Sequence, residues 1–458
     1  MKTVFITISR GSLIRNFFHT GIISGLLAKG LRVVVLSPNY KDKSLFSDYT
    51  HPNLVIEPLY ISKIRFERVL TEFFKGAVFN KTVNFLWRHR LAGANPQIWL
   101  YVPRMIFVAP LGFIPGFRHF IQWVDFILNP QKEHDYLFGK YWPDLAFITA
   151  ANSYSDSGVI KSAKRFGVPT VGMPKSWDNL SKILNPASTD YVLVWSEFMR
   201  RQAIRYQGYR ENQIFLTGVP QFDIYARPEH LLSRAEFCQQ FNFDPAKKIV
   251  LYGSVGGGSR IGMEADYPEM IQKWVDSGEL SKVQVLVRPH IGYVGDAEKF
   301  QRLGQCPNIV IDQTDTQDAR FGDHWDPSFN HLVHLYNSLH HADICVTIGS
   351  TLTLDAIACG TPAINIKFDK DPNVSSADSV WRLHGTDYVA ALTSMDATWV
   401  VESKESFLEA LKAVLERGEK KDTHAMMNRF IYKNDGKSAE RIVVAVVEKL
   451  ESKKSPLE

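Results

Sequence analysis

Short β-branched apolar runs alternate with amphipathic stretches along this chain, and the alternation begins at its first residues. Thr3–Ile8 is apolar throughout and predicts a buried strand. A polar loop, Ser9-Arg10-Gly11-Ser12, precedes a stretch from Ile14 to Lys29 with apolar positions at helical spacing. Gly30 then suits a helix C-terminus. Leu31–Leu36 is the next strand, so a βαβ unit opens the chain and a parallel sheet follows from it. The pattern returns with Leu145–Thr149, a helix over Ser157–Phe166 and a strand over Pro169–Val171. Tyr191–Trp195 and Ile214–Thr217 add two strands. Beyond a linker at 226–247, the runs Lys248–Tyr252, Val283–Val287, Ile309–Ile311, Ile344–Ile348 and Ala363–Ile366 repeat the theme. The chain therefore divides into two α/β domains, 1–225 and 248–436. An amphipathic helix, Ser438–Leu450, opens a C-terminal segment at 437–458.

Composition narrows the function classes. The chain has 458 residues, 45% hydrophobic and 22% charged, with a net charge of +5. That balance is globular, and the excess is too small to mark a nucleic-acid binder. Four cysteines without CxxC spacing predict reduced thiols, not a disulfide framework or zinc site. The apolar run at the start is too short for a signal peptide. The stretch from Ile98 to Ile127 is broken by Arg104, Arg118 and Asp125 and does not read as a spanning helix. A cytoplasmic protein is expected, seated peripherally on the inner face of the membrane if at all.

Three segments carry chemistry. The strand at Ile249 runs into Gly253-Ser254-Val255-Gly256-Gly257-Gly258-Ser259-Arg260, where glycines leave backbone N–H groups open to a phosphate. A flexible turn would look the same. Val287-Arg288-Pro289-His290 puts a guanidinium fork and an imidazole at a strand's carboxyl end, where ligands of open α/β sheets bind. Ala342–Ile366 reads strand, glycine turn, helix, Gly-Pro turn, strand. Ser350 and Thr351 lie at the helix start, suited to an anion, and Asp355 one turn on could accept from a ribose diol.

In this order the segments resemble the C-terminal nucleotide-binding domain of GT-B glycosyltransferases. The likeness is to the group of CDP-glycerol glycerophosphotransferases, capsule sugar transferases and non-hydrolysing UDP-N-acetylglucosamine 2-epimerases. Ser176-Trp177-Asp178-Asn179-Leu180, Val194-Trp195-Ser196-Glu197, Gly218-Val219-Pro220-Gln221-Phe222-Asp223 and Asn434-Asp435-Gly436-Lys437-Ser438-Ala439-Glu440-Arg441 match a bacterial surface-carbohydrate branch. The resemblance implies two Rossmann-like domains with parallel sheets facing a central cleft. It implies a sugar, or a glycerol-phosphate-like group, moved from a UDP- or CDP-type donor to a surface-glycan or lipid-linked acceptor, with inversion and without cofactor or metal. Gly253, Ser254, Gly256 and Gly257 would face the donor phosphates. Arg288 and His290 would bind the same diphosphate, Ser350 and Thr351 would cap it, and Asp355 would hold the ribose. The paired glutamates of many retaining relatives are absent, with Thr347 at the first position. An epimerase-like isomerase and a GT-B binding protein without catalysis are the alternatives.

An inverting transferase needs a base for the acceptor hydroxyl. The N-terminal candidates are Asp156, in a small polar loop past a strand, then His19, with Asp178 also in view. Residues 61–120 hold nine Lys or Arg against Glu67 and Glu72, interleaved with twelve aromatics. That mixture suits an anionic membrane surface. A helical insertion packed on its own core would carry the same residues.

Overall fold

The structure is a computed structural model and describes residues 1–88, 98–256, 263–313, 318–374 and 379–452. Among these, the chain separates into two compact units, one of 1–88, 98–223 and 429–452, the other of 224–428. Both are built on wholly parallel sheets flanked by helices.

The first sheet has seven strands: β1 (Thr3–Thr7), β2 (Arg32–Ser37), β3 (Leu54–Pro58), β4 (Leu145–Ile148), β5 (Thr170–Gly172), β6 (Tyr191–Val194) and β7 (Ile214–Leu216). Their order is β3-β2-β1-β4-β5-β6-β7. The second has six: β8 (Lys248–Gly253), β9 (Val283–Arg288), β10 (Ile309–Ile311), β11 (Ile344–Thr347), β12 (Ala363–Ile366) and β13 (Trp399–Val401), ordered β10-β9-β8-β11-β12-β13. Each sheet thus starts in the middle, runs to one edge, returns and runs to the other. The reversal leaves a crevice at the carboxyl ends of β1 and β4, and likewise of β8 and β11.

Burial explains the continuous apolar runs. Along β8, Val250 and Tyr252 enter a core on one face, while Ile249 and Leu251 enter a core on the other with Leu286 and Cys345. A strand covered on both faces has no polar side to show. The edge strands β3 and β13 leave no such signature, since most of their residues are only half-buried.

Several segments differ from the sequence expectation. The stretch Ile14–Lys29 is not one helix but two, Gly11–Phe18 and Ile22–Ala28, separated where Gly21 takes φ +95°. The segment 226–247 contains the helix Arg234–Gln240, whose Phe237 and Cys238 are buried in the core of the second unit. The last helix, Ser438–Glu451, belongs with the first unit. All four cysteines are free thiols.

Candidate functional site

In the second unit the predicted residues lie at or just past the carboxyl ends of β8, β9 and β11. Gly253 ends β8 against the start of the helix Leu352–Ala358, close enough that a Cβ would overlap the Leu352 side chain. Gly256 lies against the loop after β9. Its φ is +73°, and a Cβ there would collide with the Tyr293 ring and stand 3.0 Å from His290 Cγ. Glycine is required twice over, by space and by backbone conformation. The end of β8 and its loop therefore touch both the loop after β9 and the start of the helix after β11. Gly257 lies outside the described residues.

His290 is held as a neutral donor. Its Nδ1 accepts the Gly292 N–H at 3.1 Å, which leaves the proton on Nε2. Burial lowers its pKa from 6.5 to about 4, and nearby Asp296 offsets only part of that. A neutral Nε2–H suits a phosphate oxygen. Arg288 is almost fully buried at the end of β9, and its Nη1 reaches Asp312 Oδ2 at 3.2 Å. His334 Nε2 meets the same oxygen at 2.6 Å. The guanidinium is thus locked in orientation.

Ser350 and Thr351 stand half-exposed at the carboxyl end of β11, after Gly349 at φ +104°. Ser350 Oγ accepts the Leu352 N–H at 3.2 Å, just ahead of the helix whose N-cap position is Thr351. Asp355 sits in the first turn of that helix. Tyr225, which the sequence did not single out, donates its hydroxyl to Asp355 Oδ1 at 2.6 Å.

Beneath these loops lies a charged cluster with no sequence signature. Glu264 is fully buried. It accepts from Val255 N at 2.9 Å and Ser254 Oγ at 3.1 Å, and it is paired with Lys299. Lys299 also meets Asp296 at 2.7 Å, and Asp296 accepts the His290 N–H at 2.7 Å. Burial raises the Glu264 carboxyl, with Lys299 opposing. One acid–lysine–acid bridge thereby fixes the β8 loop to the β9 loop from below. Its members are 35 residues or fewer apart, yet a lone Glu and Lys in polar context give no periodic cue.

At the equivalent strand ends of the first unit, side chains bond to one another. Asp156 Oδ2 accepts Thr7 Oγ1 at 2.5 Å and Ala150 N at 3.2 Å, while Ser155 Oγ reaches Oδ1 at 2.9 Å. Asp156 has no exposed surface, and burial raises its carboxyl against those hydrogen bonds. It pins β1 to β4, and the helix N-cap is Ser153 instead. His19 ends the helix Gly11–Phe18, half-buried, with Nδ1 hydrogen-bonded to Tyr49 OH. Asp178 pairs with Lys182. Among the described residues, no three His, Cys, Asp or Glu side chains converge as metal ligands.

Residues 158–448 match the family model described as CDP-Glycerol:Poly(glycerophosphate) glycerophosphotransferase. The chain belongs to that family. No curated protein sequence matches it. Among solved structures it is similar to the UDP-GlcNAc 2-epimerase from Methanocaldococcus jannaschii, with a TM-score of 0.55 and 14% identity over 98% of this chain and 100% of that one. The S. aureus MnaA–UDP co-structure gives 0.54 at 12% identity, covering 98% and 97%. The wall teichoic acid polymerase TagF gives 0.50 at 11%, covering 99% and 90%. At these identities the likeness shows the fold, which is GT-B.

Two of the segments singled out in the sequence, Gly218–Asp223 and Asn434–Arg441, turn out to be one joint. Asp223 accepts the N–H groups of Ser438 and Ala439 at 2.9 and 2.8 Å, capping the last helix. Gly218, at φ +85°, lies under Ser438 and Arg441, and Arg441 Nε donates to Thr217 O at 2.7 Å. Trp177 Nε1 donates to Phe430 O at 2.7 Å. These residues fasten the C-terminal segment to the first unit.

Proposed function

We propose that this protein transfers a glycerol-phosphate-like group, or a sugar, from a CDP- or UDP-type donor to a surface-glycan or lipid-linked acceptor at an anionic membrane. The observation that supports this most is the glycine-lined crevice after β8 and β11, with neutral His290, oriented Arg288 and the Ser350 hydroxyl around it. In this reading the donor diphosphate lies over Gly253–Gly256. His290 Nε2–H and the Arg288 guanidinium stabilise the charge that develops as the phosphate bond breaks. Asp355, oriented by Tyr225, takes the ribose.

The family match favours the glycerol-phosphate form. The acceptor hydroxyl then attacks the β-phosphorus, the bond to the bridging oxygen breaks, and CMP leaves with that oxygen. A sugar transfer instead breaks the anomeric C–O bond and releases a nucleoside diphosphate. The acceptor proton needs a base. Of the three first-unit candidates, Asp156 has no exposed surface, Asp178 is paired with Lys182, and His19 has exposed surface, so His19 takes that role. Incubation with CDP-glycerol, a nucleotide sugar and a glycerol-phosphate-primed lipid separates the forms. CMP release that requires acceptor supports the first, nucleoside diphosphate the second, and an altered donor sugar without acceptor the epimerase alternative. His19→Gln should cut turnover by about 10²–10⁴ with CDP binding unchanged, and near-normal turnover excludes it.

A further inference from the structure

The first unit carries an aromatic floor at the end of β6. Trp177 meets Trp195 edge-on, with ring centroids 4.9 Å apart, and Phe198 packs on Phe430 at 4.9 Å. The bond from Trp177 Nε1 to Phe430 O ties the two pairs together. Trp195 and Phe198 directly follow β6, so the floor lies at a strand's carboxyl end, where parallel sheets take their ligands.

Arg429 lies over this floor. Its guanidinium carbon is 5.9 Å from the Phe198 centroid and 5.5 Å from that of Phe430. Such stacking fixes the plane of a guanidinium and leaves its N–H edge for a partner. The buried or half-buried guanidiniums of Arg104, Arg165 and Arg441 each have a carboxylate as that partner, at 2.9, 2.6 and 2.9 Å. Half-buried Arg429 has no ion-pair partner among the described residues. The charge that acts on it is that of Arg201. Burial, and then this like charge, hold the Arg429 pKa below its ordinary value.

Arg201 is exposed on the helix Glu197–Gln202. The one acid of that helix, Glu197, is 4.0 Å from Arg201 and closer, at 3.0 Å, to Arg200. Three guanidiniums therefore share one carboxylate. Like charges held together on a partly desolvated surface repel, and an anion between them relieves the repulsion. Two planar forks side by side match the oxygens of a phosphate. The neighbouring basic stretch lacks this imbalance. Lys433, Lys437 and Arg441 line an open cavity of about 450 Å³ at the end of β7, but Asp435, Glu440 and Glu448 line it too.

We propose that Arg201 and Arg429 form a phosphate subsite on the first unit, which holds a phosphodiester of the acceptor chain away from the hydroxyl being extended. The subsite rests on the glycerol-phosphate form of the reading above. It gives Trp177 a role as part of the floor beneath bound phosphate.

The test uses the full chain and soluble glycerol-phosphate oligomers of one and four units. Inorganic phosphate and phosphatidylglycerol vesicles stand for the other sources of the same anion. By calorimetry the four-unit oligomer should bind about 10-fold more tightly than the one-unit oligomer. Arg201→Gln should weaken four-unit binding about 5-fold, and Arg201→Gln with Arg429→Gln about 30-fold. Lys437→Gln, in the balanced cavity, should change it less than about 2-fold. Arg429→Lys keeps the charge, loses the fork and should recover part of the affinity. In turnover the double variant should raise KM for a four-unit acceptor far more than KM for a one-unit acceptor. Wild-type thermal unfolding and CDP binding show that a variant folds; if Arg429→Gln does not, exposed Arg201→Gln carries the test. Equal binding of the two oligomers, unchanged four-unit binding in a folded double variant, or an equal fall in Lys437→Gln each overturns the subsite. So does a loss confined to inorganic phosphate or to the vesicles, or a folded double variant that no longer binds CDP. Oligomer binding as expected, with no turnover of CDP-glycerol by the wild-type chain, would instead sink the transferase reading alone.

Discussion

The two sheets share one strand order through their first six strands, yet their crevices are finished in opposite ways. Between β1 and β4 a buried aspartate draws Thr7, Ala150 and Ser155 together. Between β8 and β11 the same positions carry glycines, a half-exposed serine and threonine, and a neutral imidazole, while the buried carboxylates sit one layer lower. Topology supplies a crevice in both units. The location of the buried charge decides whether that charge braces the strands or the loops.

Substitutions at the two crevices should therefore part company. The largest effect is expected for Lys299→Met. It leaves Glu264 and Asp296 buried without their cation and should cost about 3–5 kcal/mol in denaturant unfolding, with CDP binding lost as the two loops separate. If unfolding moves by less than about 1 kcal/mol, the bridge is not what fixes those loops. Asp156→Asn should cost about 1–3 kcal/mol, because the amide oxygen can still accept from Thr7 and Ala150 but an NH2 replaces the oxygen that accepts from Ser155, while CDP affinity stays at the wild-type value. A weakened CDP affinity in this variant would erase the distinction between a braced crevice and an open one.

Much of this contrast could be read from the chain. The two α/β halves, most of the strands, and the glycine, Arg-Pro-His and Ser-Thr segments all follow from apolar runs and turn residues. Edge strands β3 and β13 are half-buried and give too weak a pattern to see. Glu264, Lys299 and Tyr225 went unnoticed because a residue that braces a site through tertiary contacts has no required spacing to its partners. Asp156 was read as a base because a carboxylate past a strand end resembles one. Only the structure reveals that three donors surround it and no solvent reaches it. The Gly218–Asp223 and Asn434–Arg441 motifs were legible as family features, and their role as one helix clasp required coordinates.

Smaller effects sharpen the account of the open crevice. Asp355→Ala should weaken CDP binding by about 1–3 kcal/mol by calorimetry, with little change for inorganic pyrophosphate, which lacks the ribose. Equal losses for both ligands would remove Asp355 from the ribose.

The pH dependence should be smallest where a histidine site would normally show one. The folded pKa of His290, about 4, lies below its ordinary 6.5. The neutral ring is therefore favoured by folding. That stability is complete above about pH 6.5 and is lost as pH falls toward 4, since the unfolded chain takes up the proton first. His134, buried in the first unit and also lowered to about 4, adds to the same window. CDP affinity should consequently show no His290-dependent inflection between pH 6 and 8, and one that vanishes in His290→Gln would mean that a charged ring binds the phosphate.

The most direct measurement is a crystal structure of the protein with CDP. The account predicts the diphosphate against Gly253–Gly256, within hydrogen-bond reach of His290 Nε2 and the Ser350 segment, with the ribose at Asp355 and the Thr7–Asp156 hydrogen bond unbroken. Nucleotide bound at Thr7–Asp156, or away from the ends of β8 and β11, would contradict it.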